Sequence, residues 1–154
     1  MATLVEDVHA HAEWMARALT QSRYRADFTM GSLREVERFF EEHSEDGTPT
    51  DGGLLAQETG QRLFALGAYV GETLRRELGG TWQADDDDPD GEINIQLCLN
   101  NGSVIWPVQR VIKRFRNGAE DNIAVYAALL GGPVGPEGMA LPTKTPRRRW
   151  FRHR

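Results

Sequence analysis

Leu63-Phe64-Ala65-Leu66-Gly67-Ala68-Tyr69-Val70-Gly71-Glu72-Thr73-Leu74-Arg75-Arg76-Glu77-Leu78-Gly79-Gly80-Thr81-Trp82 holds both the longest apolar stripe of the chain and the point where its period changes. Leu63, Leu66, Val70, Leu74 and Leu78 step by three and four, which keeps them on one helix face. The pattern reaches back to Leu54, so the longest helix is expected over 54–78, at the centre of the molecule. Gly60, Gly67 and Gly71 interrupt it. Each costs a helix interior about 1 kcal/mol relative to alanine, so three of them imply close approach by another backbone. Gly79-Gly80 then acts as C-cap and stop, and Thr81-Trp82-Gln83-Ala84 begins a strand.

Downstream, Ile93, Ile95, Leu97 and Leu99 alternate with Asn94, Gln96, Cys98 and Asn100, a period of two with one dry face. Asn101-Gly102 is the dipeptide favoured by a type I′ hairpin, whose central residues both need positive φ. That turn would set Leu99 opposite Val104 and Leu97 opposite Trp106. Pro107 suits the first turn of a helix. Behind it Val108, Val111, Ile112 and Phe115 form a buried face, with Arg110, Lys113, Arg114 and Arg116 expected outward and Asn117-Gly118 as the stop. A last helix spans 121–130, with Ile123, Tyr126, Ala127 and Leu130 inward.

Upstream, Thr3-Leu4-Val5-Glu6 reads as a capping box that opens a helix with Leu4, Val8, Met15 and Leu19 near one face. Ser32-Leu33-Arg34-Glu35 repeats the signature ahead of Leu33, Val36, Phe39 and Phe40. Residues 24–30 read as a short extended linker and 44–53 as a polar loop. The expected fold is α+β: helices first, then a small antiparallel sheet of about three strands with an Asn-Gly hairpin, then two C-terminal helices packed on the sheet, and a basic tail. A single domain is expected over 1–132, with a Pro/Gly-rich basic tail over 133–154.

Charge is segregated along the chain. Residues 144–154 hold six basic side chains and no acid, whereas 1–143 carry 23 acids against 12 bases. Such a split points to an electrostatic partner. In the tail, Arg147, Arg148, Arg149 and Arg152 flank Trp150 and Phe151, and these six are the candidate partner-binding residues. Arginines could grip phosphates while the rings stack on bases, or the segment could lie on an anionic membrane. It could also dock on the acidic loop of the same or a neighbouring chain, or serve as a solubilising terminus. A net acidic body counts against nucleic acid.

The sharpest local motif, Asp86-Asp87-Asp88-Pro89-Asp90-Gly91-Glu92-Ile93, matches the opening of a calcium loop, with Asp86, Asp88 and Asp90 as candidate ligands. Its twelfth position is Leu97 where a bidentate glutamate belongs, and its flanks read as strands, so a solvated acidic loop is the competing reading. Glu72 lies on the central helix near Tyr69. Burial would raise its pKa, but no histidine or second acid is placed to complete a catalytic pair, and pairing with Arg75 or Arg76, or capping of a backbone donor in the sheet, is favoured. His9 and His11, two apart, point in different directions on a helix. His43 falls in the last turn of the second helix, where a cation suits the dipole. With one cysteine, Cys98, on the polar face of its strand, no zinc set or internal disulfide forms. No catalytic residue and no cofactor are expected.

The lack of a signal-peptide pattern and of an apolar run near the roughly 20 residues needed to span a bilayer, together with the single cysteine, points to the cytoplasm. Arginine outnumbers lysine sixteen to two, which fits a GC-rich bacterial genome.

The run Leu66-Gly67-Ala68-Tyr69-Val70-Gly71-Glu72 followed by Gly79-Gly80-Thr81-Trp82 resembles an uncharacterised family of small bacterial domains. These join a "GAYxGE" helix to a "GG-x-W" strand start, then a hairpin and a Pro-led helix, here Trp106-Pro107-Val108-Gln109-Arg110-Val111. The likeness covers roughly residues 28–130. It implies the fold and transfers no activity; the acidic loop and the tail lie outside it. The expected function is a non-enzymatic interaction module that binds a protein partner or a second copy, or alternatively a binder of nucleic acid or anionic membrane through the tail.

Overall fold

The computed structural model describes residues 2–131, so the tail residues Arg147, Arg148, Arg149, Trp150, Phe151 and Arg152 lie outside the described part. Among the described residues, six helices and two small antiparallel sheets make an α+β fold. Helix α1 (Leu4–Gln21) opens on the expected capping box: the Thr3 hydroxyl accepts from the Glu6 amide, and the Glu6 carboxylate accepts from the Thr3 amide. Val8, Met15 and Leu19 are buried along it, and Leu4 is half-buried. Residues 22–29 connect to a 3-10 turn (Met30–Ser32) and helix α2 (Leu33–His43).

The second capping box does not form. Ser32 is helical, at φ −69° and ψ −15°, and cannot act as an extended N-cap. Its hydroxyl instead bonds the Thr29 carbonyl (2.7 Å) and the Tyr69 hydroxyl (2.6 Å), while Glu35 accepts from the Arg25 amide.

The stretch 44–53 is more than a loop. Strands β1 (Ser44–Glu45) and β2 (Thr48–Pro49) pair around Asp46-Gly47, whose φ values of 46° and 90° are both positive, as a type I′ turn requires. Helix α3 runs over Thr59–Leu78, five residues shorter than expected, because residues 54–58 form turns and Glu58 is left-handed at φ 52°. Every residue from Leu63 to Leu74 is buried, so α3 is the centre on which the other elements pack.

Two of the three glycines explain how. A Cβ on Gly67 would sit 2.6 Å from the Val108 Cα, and one on Gly71 would sit 2.1 Å from the Trp82 ring. Gly60 faces open space. Gly79, at φ 81°, ends the helix as its C-cap.

Strand β3 (Gly80–Gln83) pairs with β4 (Gln96–Leu99), and β4 with β5 (Val104–Ile105), all antiparallel. Between β3 and β4 lies one helical turn, α4 (Gly91–Asn94), which takes Ile93 off the expected dry face and leaves it exposed.

The hairpin register also differs from expectation by one residue: Leu97 faces Ile105 and Cys98 faces Val104. The Gly102 amide reaches the Leu99 carbonyl, and only Gly102 has positive φ (95°), so the loop is a three-residue turn ending in a left-handed glycine. The slip exchanges faces. Val104 is 43% exposed and Ile105 only 4%.

Helix α5 (Pro107–Asn117) starts on Pro107, ends at Gly118 and packs on α3. Helix α6 (Ile123–Gly131), after a 3-10 turn over Gly118–Asp121, lies chiefly against α2 rather than on the sheet. The sheet's apolar face meets α3, with Trp82 over Gly71. No helix among the described residues is long and apolar enough to cross a membrane.

Candidate interaction surface

Charge is placed inside this fold in two clusters. Glu72 is 1% exposed. Arg75 grips it with two bonds, at 2.9 and 2.6 Å, Arg76 adds one at 3.0 Å, and the Trp82 indole N–H donates at 3.1 Å. His9 Nδ1 stands 3.5 Å away. Burial alone would raise the Glu72 pKa. The donors from Arg75, Trp82 and Arg76 outweigh it and hold the carboxyl at about 2. The expected raised pKa is therefore reversed, and the expected arginine pairing stands. A carboxylate tied by four donors is a brace between α3 and β3.

The second cluster overturns the expectation that Arg110 and Arg114 face outward: they are 5% and 4% exposed. Arg114 Nε donates to Glu37 at 2.8 Å, and the other Glu37 oxygen accepts the Ile123 amide at the start of α6, where a negative charge suits the helix dipole. Arg110 meets Asp121 at 3.2 Å and lies 4.4 Å from the Tyr126 ring. Asn117 completes Asp121 at 2.7 Å.

The acidic loop turns inward on itself. Asp86 accepts the Leu4 amide at the head of α1, and Asp88 accepts the Asp90 amide and the Asn94 side chain. Among the described residues no group of three His, Cys, Asp or Glu side chains converges as a metal site would require. A helical turn, not a strand, follows the loop.

His43 uses Nδ1 to accept the Leu54 amide (3.0 Å) and sets Nε2 3.0 Å from the Tyr24 hydroxyl, which bonds Glu42. Burial lowers its pKa, so the ring is an acceptor latch for the 50–58 segment rather than a cation on the helix end. Cys98 is half-buried on its strand.

A groove open to a partner lies between α1 and α3. One flank of α1, His9 and Glu13, faces Glu72 and Arg76; the other, His11 and Trp14, faces the beginning of α3. That second flank borders a groove of about 330 Å³ lined by Ala10, His11, Trp14, Glu58, Gln61 and Arg62. Trp14 is 44% exposed there, a large ring withheld from the core. His11 stacks edge-on against Phe64 at 5.0 Å and has Nδ1 2.8 Å from the Asp7 carbonyl. Arg62 reaches the Leu54 carbonyl at 2.5 Å.

Compared with protein-family models, with curated proteins and with solved structures, the chain finds no match.

The groove therefore has to be read from its own chemistry. Sequence reasoning passed over Trp14, Glu58, Gln61 and Arg62. The available signal was a tryptophan off the Val8, Met15 and Leu19 stripe, since a ring outside an apolar stripe has no core to fill.

Proposed function

We propose that this chain is a non-enzymatic protein-interaction module of the bacterial cytoplasm, and that it takes its partner at the groove between α1 and α3. The observation that carries the reading is the exposed Trp14 beside that groove. Buried aromatic anchors supply most of the binding energy in protein interfaces, and a ring held half in solvent on a rigid helix is preorganised for that role. The interior charges support it from the other side. Glu72, Glu37, Asp121, Arg110 and Arg114 are each engaged in bracing the fold, and such pairs position elements rather than hold a substrate. The acidic body and the basic tail would steer encounter.

The test is affinity capture with the full chain, comparing wild type with Trp14→Ser and with Val125→Ser, a second exposed apolar position away from the groove. A partner retained by wild type and Val125→Ser but lost with Trp14→Ser is the expected outcome. Equal retention by all three removes the groove from consideration.

A second reading rests on the tail: six bases with Trp150 and Phe151 in residues 144–154 suit nucleic acid or an anionic membrane. It requires binding to single-stranded nucleic acid or anionic vesicles that weakens steeply with salt and disappears when the tail arginines become glutamine.

A further inference from the structure

We propose that the groove between α1 and α3 is occupied in cis by the chain's own basic-aromatic end, Arg147 to Arg152. The inference rests on the reading of that groove as a binding surface and names what fills it before a partner does. Three observations point the same way.

The first is the chemistry of the lining. Trp14 offers an indole face, on which an arginine or a second ring stacks favourably. Glu58 places a carboxylate at the rim and Gln61 an amide. His11, with Nδ1 facing the Asp7 carbonyl as a donor, leaves Nε2 as an acceptor. Arg62, also in the lining, turns one guanidinium N–H to the Leu54 carbonyl. Such a surface suits a segment rich in N–H donors and flat rings, and residues 147–152 read Arg-Arg-Arg-Trp-Phe-Arg.

The second is charge. Residues 1–143 carry 23 acids against 12 bases, and residues 144–154 carry six bases and no acid. Attraction between the two is long-ranged at low salt and screened within about 10 Å at 0.1 M.

The third is reach. Gly131 lies beside Leu78, the last residue of α3. The groove is at the opposite end of that helix, whose 20 residues span about 30 Å. The 15 residues between Gly131 and Arg147 extend to about 50 Å. Tethering also explains why a small groove suffices. A stable complex between separate molecules buries on the order of 800 Å² per partner. A linked segment binds at an effective concentration in the millimolar range and needs far less. An outside protein would thus compete with the tail, and a polyanion that captured the arginines would open the groove.

The experiment uses the full chain with Cys98→Ser/Thr145→Cys carrying a nitroxide label, read by nitrogen-15 NMR. The Trp14 indole signal is assigned with Trp14→Phe. The Trp14 indole and the Gln61 and Arg62 amides should lose most of their intensity, unchanged by dilution and restored by high salt. An unlabelled full-length variant with Arg147, Arg148, Arg149 and Arg152 changed to glutamine checks the result without Cys98→Ser: its Trp14 indole should shift from the wild-type position. The proposal is overturned if no groove signal broadens, if broadening falls on the 85–90 loop, or if it appears only on isotope-labelled chains mixed with spin-labelled ones, which would place the tail on a second copy. Failure here with Trp14-dependent partner capture intact removes the tail alone; groove broadening with capture indifferent to Trp14 removes the partner reading instead.

Discussion

Glu72 shows how a single ionisable side chain can stabilise a fold while lying out of contact with water. Its carboxyl ionises at about 2 in the folded chain against an ordinary 4.5. The folded state thus binds its proton less readily than the unfolded state does. The resulting stabilisation is fully present above the unfolded value and is lost as pH falls from about 4.5 toward 2. Because the group is 1% exposed, the shift converts without solvent screening to about 3 kcal/mol. We expect Glu72→Gln to lower stability at neutral pH by about that amount and to flatten the acid limb of the stability curve. Urea midpoints at pH 7, 4 and 2.5 measure both. A wild-type curve no steeper than that of the variant between pH 4 and 2.5 would refute the assignment. Trp82 sharpens the cost, since losing one carboxylate oxygen puts its buried N–H in competition with two guanidinium groups for the acceptor that remains.

At the scale of elements, α5 is joined to α2 and α6 through charge as well as apolar contact. Glu37 bridges Arg114 and the first amide of α6, so one side chain on α2 aligns two other helices. Glu37→Gln leaves Arg114 buried without a counter-charge and should cost about 3–5 kcal/mol. The pair Glu37→Leu/Arg114→Met should recover much of that loss in a double-mutant cycle read by thermal unfolding; additive losses would falsify the bridging role. These arginines also mark where the sequence ceased to be legible. Helix positions, the Pro107 start, the central stripe and the glycine stop follow from periodicity and caps, because local chemistry decides them. Whether Arg110 and Arg114 face in or out depends on Asp121 and Glu37, acids 11 and 77 residues away, and no local pattern carries that. The hairpin failed for a related reason. Asn-Gly and Asp-Gly both favour positive φ at two residues, yet the paired positive values occur at Asp46-Gly47, while Asn101-Gly102 closes a longer turn. Burial of Ile105 in place of Val104 decided the register. Gly67 and Gly71 were readable as contacts and Gly60 was not one, since a sequence shows the glycine and not the neighbour. The groove was the least legible feature, being defined by what fails to pack.

Across the whole molecule, burial is graded outward from α3, and local stability should follow it. Residues 63–74 are surrounded on all sides by α1, α5 and the sheet, so their amides exchange only when the entire domain opens. Helix α6 has no such cover. It carries no charged residue, yet Val125 is 58% and Leu129 45% exposed, and its first amide depends on Glu37. The 50–58 segment puts one side chain, Leu55, into the core and is otherwise held by the Thr50 amide on the His43 carbonyl, the Leu54 amide at His43 and Arg62 at the Leu54 carbonyl. Native-state hydrogen exchange of the full chain should therefore show three tiers: α3 at the global unfolding free energy, α6 opening at lower cost, and 50–58 opening first. Burial holds the His43 pKa below the ordinary 6.5, so lowering the pH below that value should weaken the last tier selectively, because protonated His43 presents a donor at Nδ1 to the Leu54 amide that it formerly accepted. Slow exchange of residues 50–58 at the α3 rate, at both pH 7.5 and pH 5.5, would show that the segment is held by the core and not by the histidine. Selective loosening would put one wall of the groove, at Glu58, under the control of a half-buried imidazole on another helix.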